Sequence, residues 1–237
     1  MEAFHIWVGT DRWQRDAGAE RVLEHSIRKH ATCPVEMHWM RSGDPEWPAS
    51  EDGRNDSWNL GRPVDQAWPK QGWGTPFSRF RFAIPEAMGF QGRAVYMDAD
   101  MLVLGDVAEL LAVNLDKPWV TCHPSITDVS VIDCAAFKRI GWPSIAEMKR
   151  ERHKAFHDCQ RLQAKGAISA TLPWSWNIRD SATPHAAWHA DSRLLHYTSV
   201  PHQPWHPYPT VTYIPHPKKP WVDIWFAHKA EADAAIA

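Results

Sequence analysis

The chain has 237 residues, 44% of them hydrophobic and 23% charged, which suits one globular unit able to bury a full core. Lys plus Arg number 26 against 28 for Asp plus Glu, so no global field draws the protein to nucleic acid or to an anionic membrane. The four cysteines, Cys33, Cys122, Cys134 and Cys159, form no Cys-x-x-Cys pair. That spacing argues against a disulfide framework or a structural zinc site, and a reducing cytoplasm is the expected setting. Glu2 and His5 interrupt any signal pattern at the N-terminus, and no run reaches the roughly 18 apolar residues of a spanning helix.

Ala3 to Val8 is short, apolar and β-prone, and Gly9-Thr10-Asp11 stops it. It reads as a buried parallel strand with a loop at its carboxyl end. Gln14 to His30 follows with Ala17, Val22, Leu23 and Ile27 at helical spacing. Val35 to Met40 is a second strand, so a right-handed crossover and a parallel sheet are expected. Residues 41 to 75 are polar and rich in Gly, Pro, Asp and Trp, a long loop of the kind that covers sites.

Pro76 to Met88 reads as a helix, with Thr75 as N-cap and Pro76 at its first position. Ala94 to Met97 is a strand, Met101 to Leu104 a further apolar run, and Asp106 caps a short helix through Leu111. Trp119 to Cys122 and Val129 to Ile132 are later strands. Residues 144 to 165 read as a charged, solvated helical face, and Ser181 to Pro220 as loop with a short strand at Leu194 to Tyr197. Val222 to Ala237 reads as a surface helix. Fifteen Trp mean either a heavy aromatic core or stacking surfaces, and the core reading is favoured.

Asp98-Ala99-Asp100 carries the chemistry. Paired carboxylates hold a hard divalent ion, which neutralises a departing diphosphate as a Lewis acid. With 17 Asp in the chain, chance supplies about one Asp-x-Asp, so the string alone is weak and a solvated turn competes. Its place directly after the strand Arg93 to Met97 favours the metal reading, because open α/β sheets bind ligands beyond the carboxyl ends of their strands.

The stretch Thr75 to Leu111, with Phe77-Ser78-Arg79, Val95-Tyr96-Met97-Asp98-Ala99-Asp100 and Gly105-Asp106-Val107, resembles the central signature of family 8 glycosyltransferases. These are retaining enzymes of the GT-A fold, related to glycogenin and to bacterial lipopolysaccharide galactosyl- and glucosyltransferases. Ile6-Trp7-Val8-Gly9-Thr10-Asp11 is similar to the family's first strand, whose loop holds the nucleotide, and this implies roles for Thr10 and Asp11. Leu194-Leu195-His196-Tyr197-Thr198-Ser199 resembles the family's His-aromatic-x-Gly segment, which implies His196 as third ligand, beside Asp98 and Asp100, on Mn²⁺ or Mg²⁺.

The resemblance further implies that Ala99 borders the donor and that Arg79 clamps its sugar or phosphate. Asp158 or Gln160 would stand for the acidic-Gln element beneath the reacting sugar, although a charged helix explains them as well. In His196 to Trp205 the chain departs from the family. Ser199 replaces Gly, and Gln203 stands where a Lys meets the diphosphate; His202 supplies a cation there only when protonated. Thr127 to Asp133 occupies the place of the family's Asn-Ser-Gly stretch. Trp174-Ser175-Trp176-Asn177 resembles another family stretch, whose aromatics either stack on a sugar or fill the core.

The expected architecture is therefore α/β: a GT-A, Rossmann-like, mostly parallel sheet flanked by helices, with a loop-rich C-terminal part. It forms one domain over 1–237, with 1–115 on the nucleotide side and 116–237 on the acceptor side. The expected activity is retaining transfer of a hexose from a UDP-sugar to a glycan or lipid-linked acceptor. A catalytically impaired nucleotide-sugar or glycan-binding relative is the alternative. A sugar-phosphate nucleotidyltransferase ranks lower, since Gly9 is the lone Gly of a loop that class makes Gly-rich. Trp205, Trp221 and Trp225 with Lys218-Lys219 suggest peripheral membrane contact, although two basic residues are few for it.

Overall fold

The computed structural model describes residues 4–11, 14, 17–42, 77–151, 155–180, 190–207 and 211–236. Strand β1 (Phe4–Asp11) pairs in parallel with β2 (Val35–Ser42) on one side and β3 (Arg93–Asp98) on the other. The sheet continues through β6 (Ile126–Asp133), β5 (Trp119–His123) and β7 (Ile168–Ser169), in the order β2-β1-β3-β6-β5-β7. β6 is antiparallel to both neighbours, while β5 and β7 are parallel, so five strands share one direction. The apolar runs of β1 and β3 are buried on both faces, which is why they lack a polar-apolar alternation.

Helix α1 (Ala19–His30) makes the β1-to-β2 crossover and turns Val22, Leu23 and Ile27 inward. Its N-cap is Gly18, whose φ of 86° lies in the left-handed region that favours a residue without a Cβ. On the opposite face, the helix expected over 76–88 is a 3₁₀ turn at Phe80–Ala83 followed by one α turn, α2 (Ile84–Ala87). Every residue from Phe80 to Pro85 is buried. A segment wrapped on all sides has no use for a one-sided helical stripe. Thr75, Pro76 and most of the long loop lie outside the described residues.

Helix α3 (Ala108–Leu111) follows Asp106, which accepts from the Ala108 amide at 2.9 Å. Asp133 caps α4 (Cys134–Arg139) by accepting from the Ala136 amide. Residues 144 to 165 form α5 (Ile145–Glu151) and α6 (Ala155–Ala164), and the expectation of a solvated face is corrected here. Met148, Asp158, Cys159 and Leu162 are fully buried against the face that carries Trp7, Tyr96 and Trp119.

A second, three-stranded sheet joins β4 (Met101–Val103), β9 (Leu194–His196) and β8 (Ile178–Arg179). Over it packs α7 (Lys219–Ala234), with Trp221 and Trp225 fully buried beside Val22, Leu195 and Tyr197. The expected surface helix thus keeps an exposed face, which carries Asp223, Phe226 and Ala230, and packs the other. Those two indoles serve the core, which removes them from the suggested membrane contact. Among the described residues no helix is long and apolar enough to cross a membrane.

Candidate functional site

The carboxyl ends of β1 and β3 lie side by side, with Gly9 opposite Asp98. The Ala99 amide donates to the Gly9 carbonyl at 3.2 Å, which fixes the turn between Asp98 and Asp100. β4 then runs antiparallel to β9, with Met101 opposite His196, and the Tyr197 amide donates to the Asp100 carbonyl at 2.9 Å. That pairing delivers His196 to the Asp-x-Asp turn. Ligand atoms of Asp98, Asp100 and His196 all lie within 4.8 Å of one another, and the group is largely buried.

Each ligand is held from behind. The Arg81 guanidinium donates to Asp98 Oδ1 at 2.8 Å and lies 3.4 Å from Asp128 Oδ1. Tyr96 gives its hydroxyl proton to the same Asp98 oxygen, and Arg81 sits over the Tyr96 ring, 4.3 Å from its centroid. Gln203 donates through Nε2 to Asp100 Oδ2 at 2.9 Å and to the Tyr197 carbonyl at 2.8 Å. Its Oε1 accepts from Gln14, whose own Oε1 accepts from the Trp205 indole. His196 Nδ1 lies 2.9 Å from Asn177 Oδ1, an oxygen that only accepts, so this nitrogen carries a proton and Nε2 faces Asp100 Oδ1 at 3.2 Å.

These residues fit a divalent ion. Asp100 Oδ1 is buried and faces His196 Nε2, 3.2 Å away, which carries no proton of its own when the ring is neutral. Three carboxylates gather here, those of Asp98, Asp100 and Asp128, against two guanidiniums: Arg81, which reaches Asp98 and Asp128, and Arg179, 3.9 Å from Asp128, so carboxylates outnumber fixed cations. Two carboxylates and an imidazole backed by an amide oxygen are a usual donor set with a tethered outer shell.

Burial pushes the Asp98 carboxyl up to about 6 against the pull of Arg81, with Asp128 and Asp100 adding to the rise. Burial opposes a charge on His196, yet Asp100 and Asp128 outweigh it and raise its pKa. Burial acts on Asp128 in the raising direction too, but His196, Arg81 and Arg179 bring it below the usual carboxylate value. Both raised groups bind protons more tightly in the folded state. Their contribution to stability is complete below the unfolded values, about 3.9 for Asp and 6.5 for His. It is lost as pH rises through the folded ones. A ligated ion requires the same protons to leave. The Mn²⁺-induced rise in unfolding temperature is therefore expected to be small at pH 5 and to grow steadily to pH 8 in a calorimetric series; a flat series would separate the ion from these groups.

No family model matches the chain. The Arabidopsis thaliana protein CDI is similar, 31% identical over 121 residues, which is 50% of this chain and 40% of that protein. The chain thus spans about two fifths of the length of that curated relative. Among solved structures, the galactosyltransferase LgtC in complex with donor and acceptor sugar analogues superposes with a TM-score of 0.62 at 14% identity. The match covers 96% of this chain and 95% of that one. The fold is that of the GT-A glycosyltransferases. The glycosyltransferase GlyE of Streptococcus pneumoniae shares it with a TM-score of 0.58 at 13% identity, over 96% of this chain and 60% of that one. So does the bifunctional WbbM, at 0.57 and 12%, over 95% and 51%.

Within this GT-A frame the other expected site residues take distinct places. Thr10 and Asp11 are buried at the end of β1, where the Asp11 carboxylate accepts from the Gln14 amide at 3.0 Å. Arg79 is buried on the far side of the 3₁₀ turn, donating to Asp158 at 2.6 Å and to the Met148 carbonyl at 2.6 Å. Asp158 is itself fully buried, whereas Gln160 faces solvent. His202 turns its Nδ1 to the carbonyls of Ile214 and Pro215, and Gln203 reaches Asp100.

Arg81, Tyr96, Asp128, Asn177 and Gln14 reach the cluster although sequence reasoning did not single them out as site residues. Arg81 follows Arg79 by two residues, and no periodicity tells which of the pair turns to the site. Gly9 is a further member. A Cβ there would collide with the Tyr96 hydroxyl and meet Phe77 at 3.1 Å, both of them buried. Gly9→Ala is therefore expected to displace Tyr96 from Asp98 and to cost about 1–3 kcal/mol in urea unfolding; an unchanged midpoint would contradict this packing.

Proposed function

We propose that the chain is a retaining hexosyltransferase of the family 8 type. It uses a UDP-sugar donor, a glycan or lipid-linked acceptor, and Mn²⁺ or Mg²⁺ held by Asp98, Asp100 and His196. The observation that carries this reading is the convergence of those three ligands at the carboxyl end of β3 in a GT-A fold. A divalent cation there supplies Lewis-acid neutralisation of the departing diphosphate. Arg81 and Tyr96 hold Asp98 in place, Gln203 aims Asp100, and Asn177 fixes the His196 tautomer so that Nε2 faces inward. In this reading Ala99, Thr10 and Asp11 border the donor, residues 1–115 supply its side, and residues 116–237 supply the acceptor side together with His196. The acceptor hydroxyl attacks on the face that the diphosphate leaves, and a diphosphate oxygen takes its proton. The cysteines are free, three of them buried, which supports a reducing, cytoplasmic setting.

One observation favours a second reading, a donor-binding relative with impaired turnover. Gln203, in the place of the family's cation, is buried and committed to Asp100, Tyr197 and Gln14, so it brings no charge to a diphosphate.

The deciding experiment is calorimetric binding of UDP with and without Mn²⁺, on the wild type and on Asp100→Ala. Metal-dependent binding that disappears in the variant supports the donor site, and UDP-hexose hydrolysis then separates the two readings. Absence of UDP binding under both conditions would overturn both.

A further inference from the structure

The described residues hold a second convergence of ligand atoms, at the opposite end of the central sheet. His5 on β1 is in register with Glu36 on β2, and Trp7 with His38. Because side chains on a strand alternate in direction, His5 and Trp7 share a face, and Glu36 and His38 share it beside them. His5 Nδ1 and His38 Nε2 lie 2.9 Å apart. The Glu36 carboxylate is 3.7 Å from the first and 3.6 Å from the second. His5 is opposite Ala94 while Gly9 is opposite Asp98, so this group sits about 13 Å along the strands from the Asp-x-Asp cluster.

We propose that His5, Glu36 and His38 form a binding site for a zinc-class divalent ion that staples the edge strand β2 to β1. Three observations support the assignment. Zinc bonds of about 2.0–2.1 Å place tetrahedral ligand atoms about 3.3 Å apart; here the two ring nitrogens are 2.9 Å apart, one Glu36 oxygen is 3.7 Å from His5 and the other 3.6 Å from His38, and one ligand atom from each residue lies within 4.8 Å of the others. Glu36 is too distant for a good hydrogen bond to either ring, so its carboxylate converges on the pair without being bound to it. Third, the ring of His38 is held: it stacks on Trp7 at 4.2 Å and 14°, and the Trp7 indole donates to the Met88 sulfur.

Two imidazoles and one carboxylate suit Zn²⁺, Co²⁺ or Ni²⁺, whereas two carboxylates and one imidazole make the other cluster the harder site. Three protein ligands leave a fourth position for water. The site faces the strand starts, away from the donor end, so its role is to hold the edge of the sheet.

The experiment uses the full chain carrying Asp98→Asn and Asp100→Asn, so that the first cluster is silent, and titrates it with Zn²⁺ alone by calorimetry. One equivalent is expected to bind and to raise the unfolding temperature, and Mn²⁺ is expected to do neither. Glu36→Gln, at a half-exposed position, should leave the unfolding temperature without metal unchanged and weaken Zn²⁺ by more than the 10–100-fold that follows loss of an outer-shell partner. His5→Gln with His38→Gln should abolish it. Absence of Zn²⁺ binding in the silenced chain, or affinity unchanged by Glu36→Gln and by the His pair, overturns the proposal.

Discussion

Arg81→Met is expected to destabilise the protein by about 3–5 kcal/mol, the range for removing one partner of a buried ion pair. Arg81 is 3% exposed and stands between Asp98 and Asp128, both of them within its reach. Met fills much the same volume, so the loss is of charge and hydrogen bonds rather than of packing. Two buried carboxylates would then face each other with Arg179 as the nearest remaining guanidinium, 3.9 Å from Asp128. Against a total stability of roughly 5–15 kcal/mol this is a large share. It corresponds to about 2–4 °C of unfolding temperature per kcal/mol for a chain of this size. Mn²⁺ should recover part of the loss, because an ion on Asp98 and Asp100 supplies the missing positive charge. Arg79→Met is the control. It too leaves a buried carboxylate, Asp158, which is not one of the three candidate ligands. Recovery by Mn²⁺ of both variants alike would show that Arg81 is not the counter-ion of the cluster.

The contrast between these two arginines marks how far the sequence was legible. The strands at Phe4–Asp11 and Arg93–Asp98 and the crossover between β1 and β2 follow from apolar runs, turn residues and spacing, which are local signals. The Asp-x-Asp turn at a strand end was legible for the same reason. The candidate ligand His196 stands out among fourteen His through a family resemblance alone, and its arrival depends on the pairing of β4 with β9, a contact remote in sequence.

Asp128 is harder still. It lies on the antiparallel strand β6, and its approach to Arg81 and His196 follows from sheet order, which no local pattern encodes. The charge count of 144–165 suggests exposure, yet one face of it is buried. Asp158 is buried because Arg79 and Arg161 reach it from either side. Gln203 looked like a lost cation in the sequence; in three dimensions it is a fully bonded amide that orients Asp100.

Asp100→Asn should do the reverse of Arg81→Met, sparing the fold while removing the chemistry. Asn keeps an oxygen for the Gln203 amide, and the amide nitrogen that takes the place of Oδ1 donates to His196 Nε2, 3.2 Å away, whose ring proton is on Nδ1. The substitution also relieves repulsion, since Asp98 and Asp128 crowd the same cavity and Asp100 adds to the upward push on Asp98. Unfolding temperature without metal is therefore expected to stay within a few degrees of wild type. What goes is one of two charged ligands, and with it the neutralisation of a leaving diphosphate. If that neutralisation is worth about 4 kcal/mol, Mn²⁺-dependent hydrolysis of UDP-hexoses falls by about 10³. A loss of activity matched by a loss of fold would make Asp100 a structural carboxylate. Full activity with an intact fold would remove the ion from the reaction. Only the split between the two assays supports a metal-assisted transferase, and neither assay alone can deliver it.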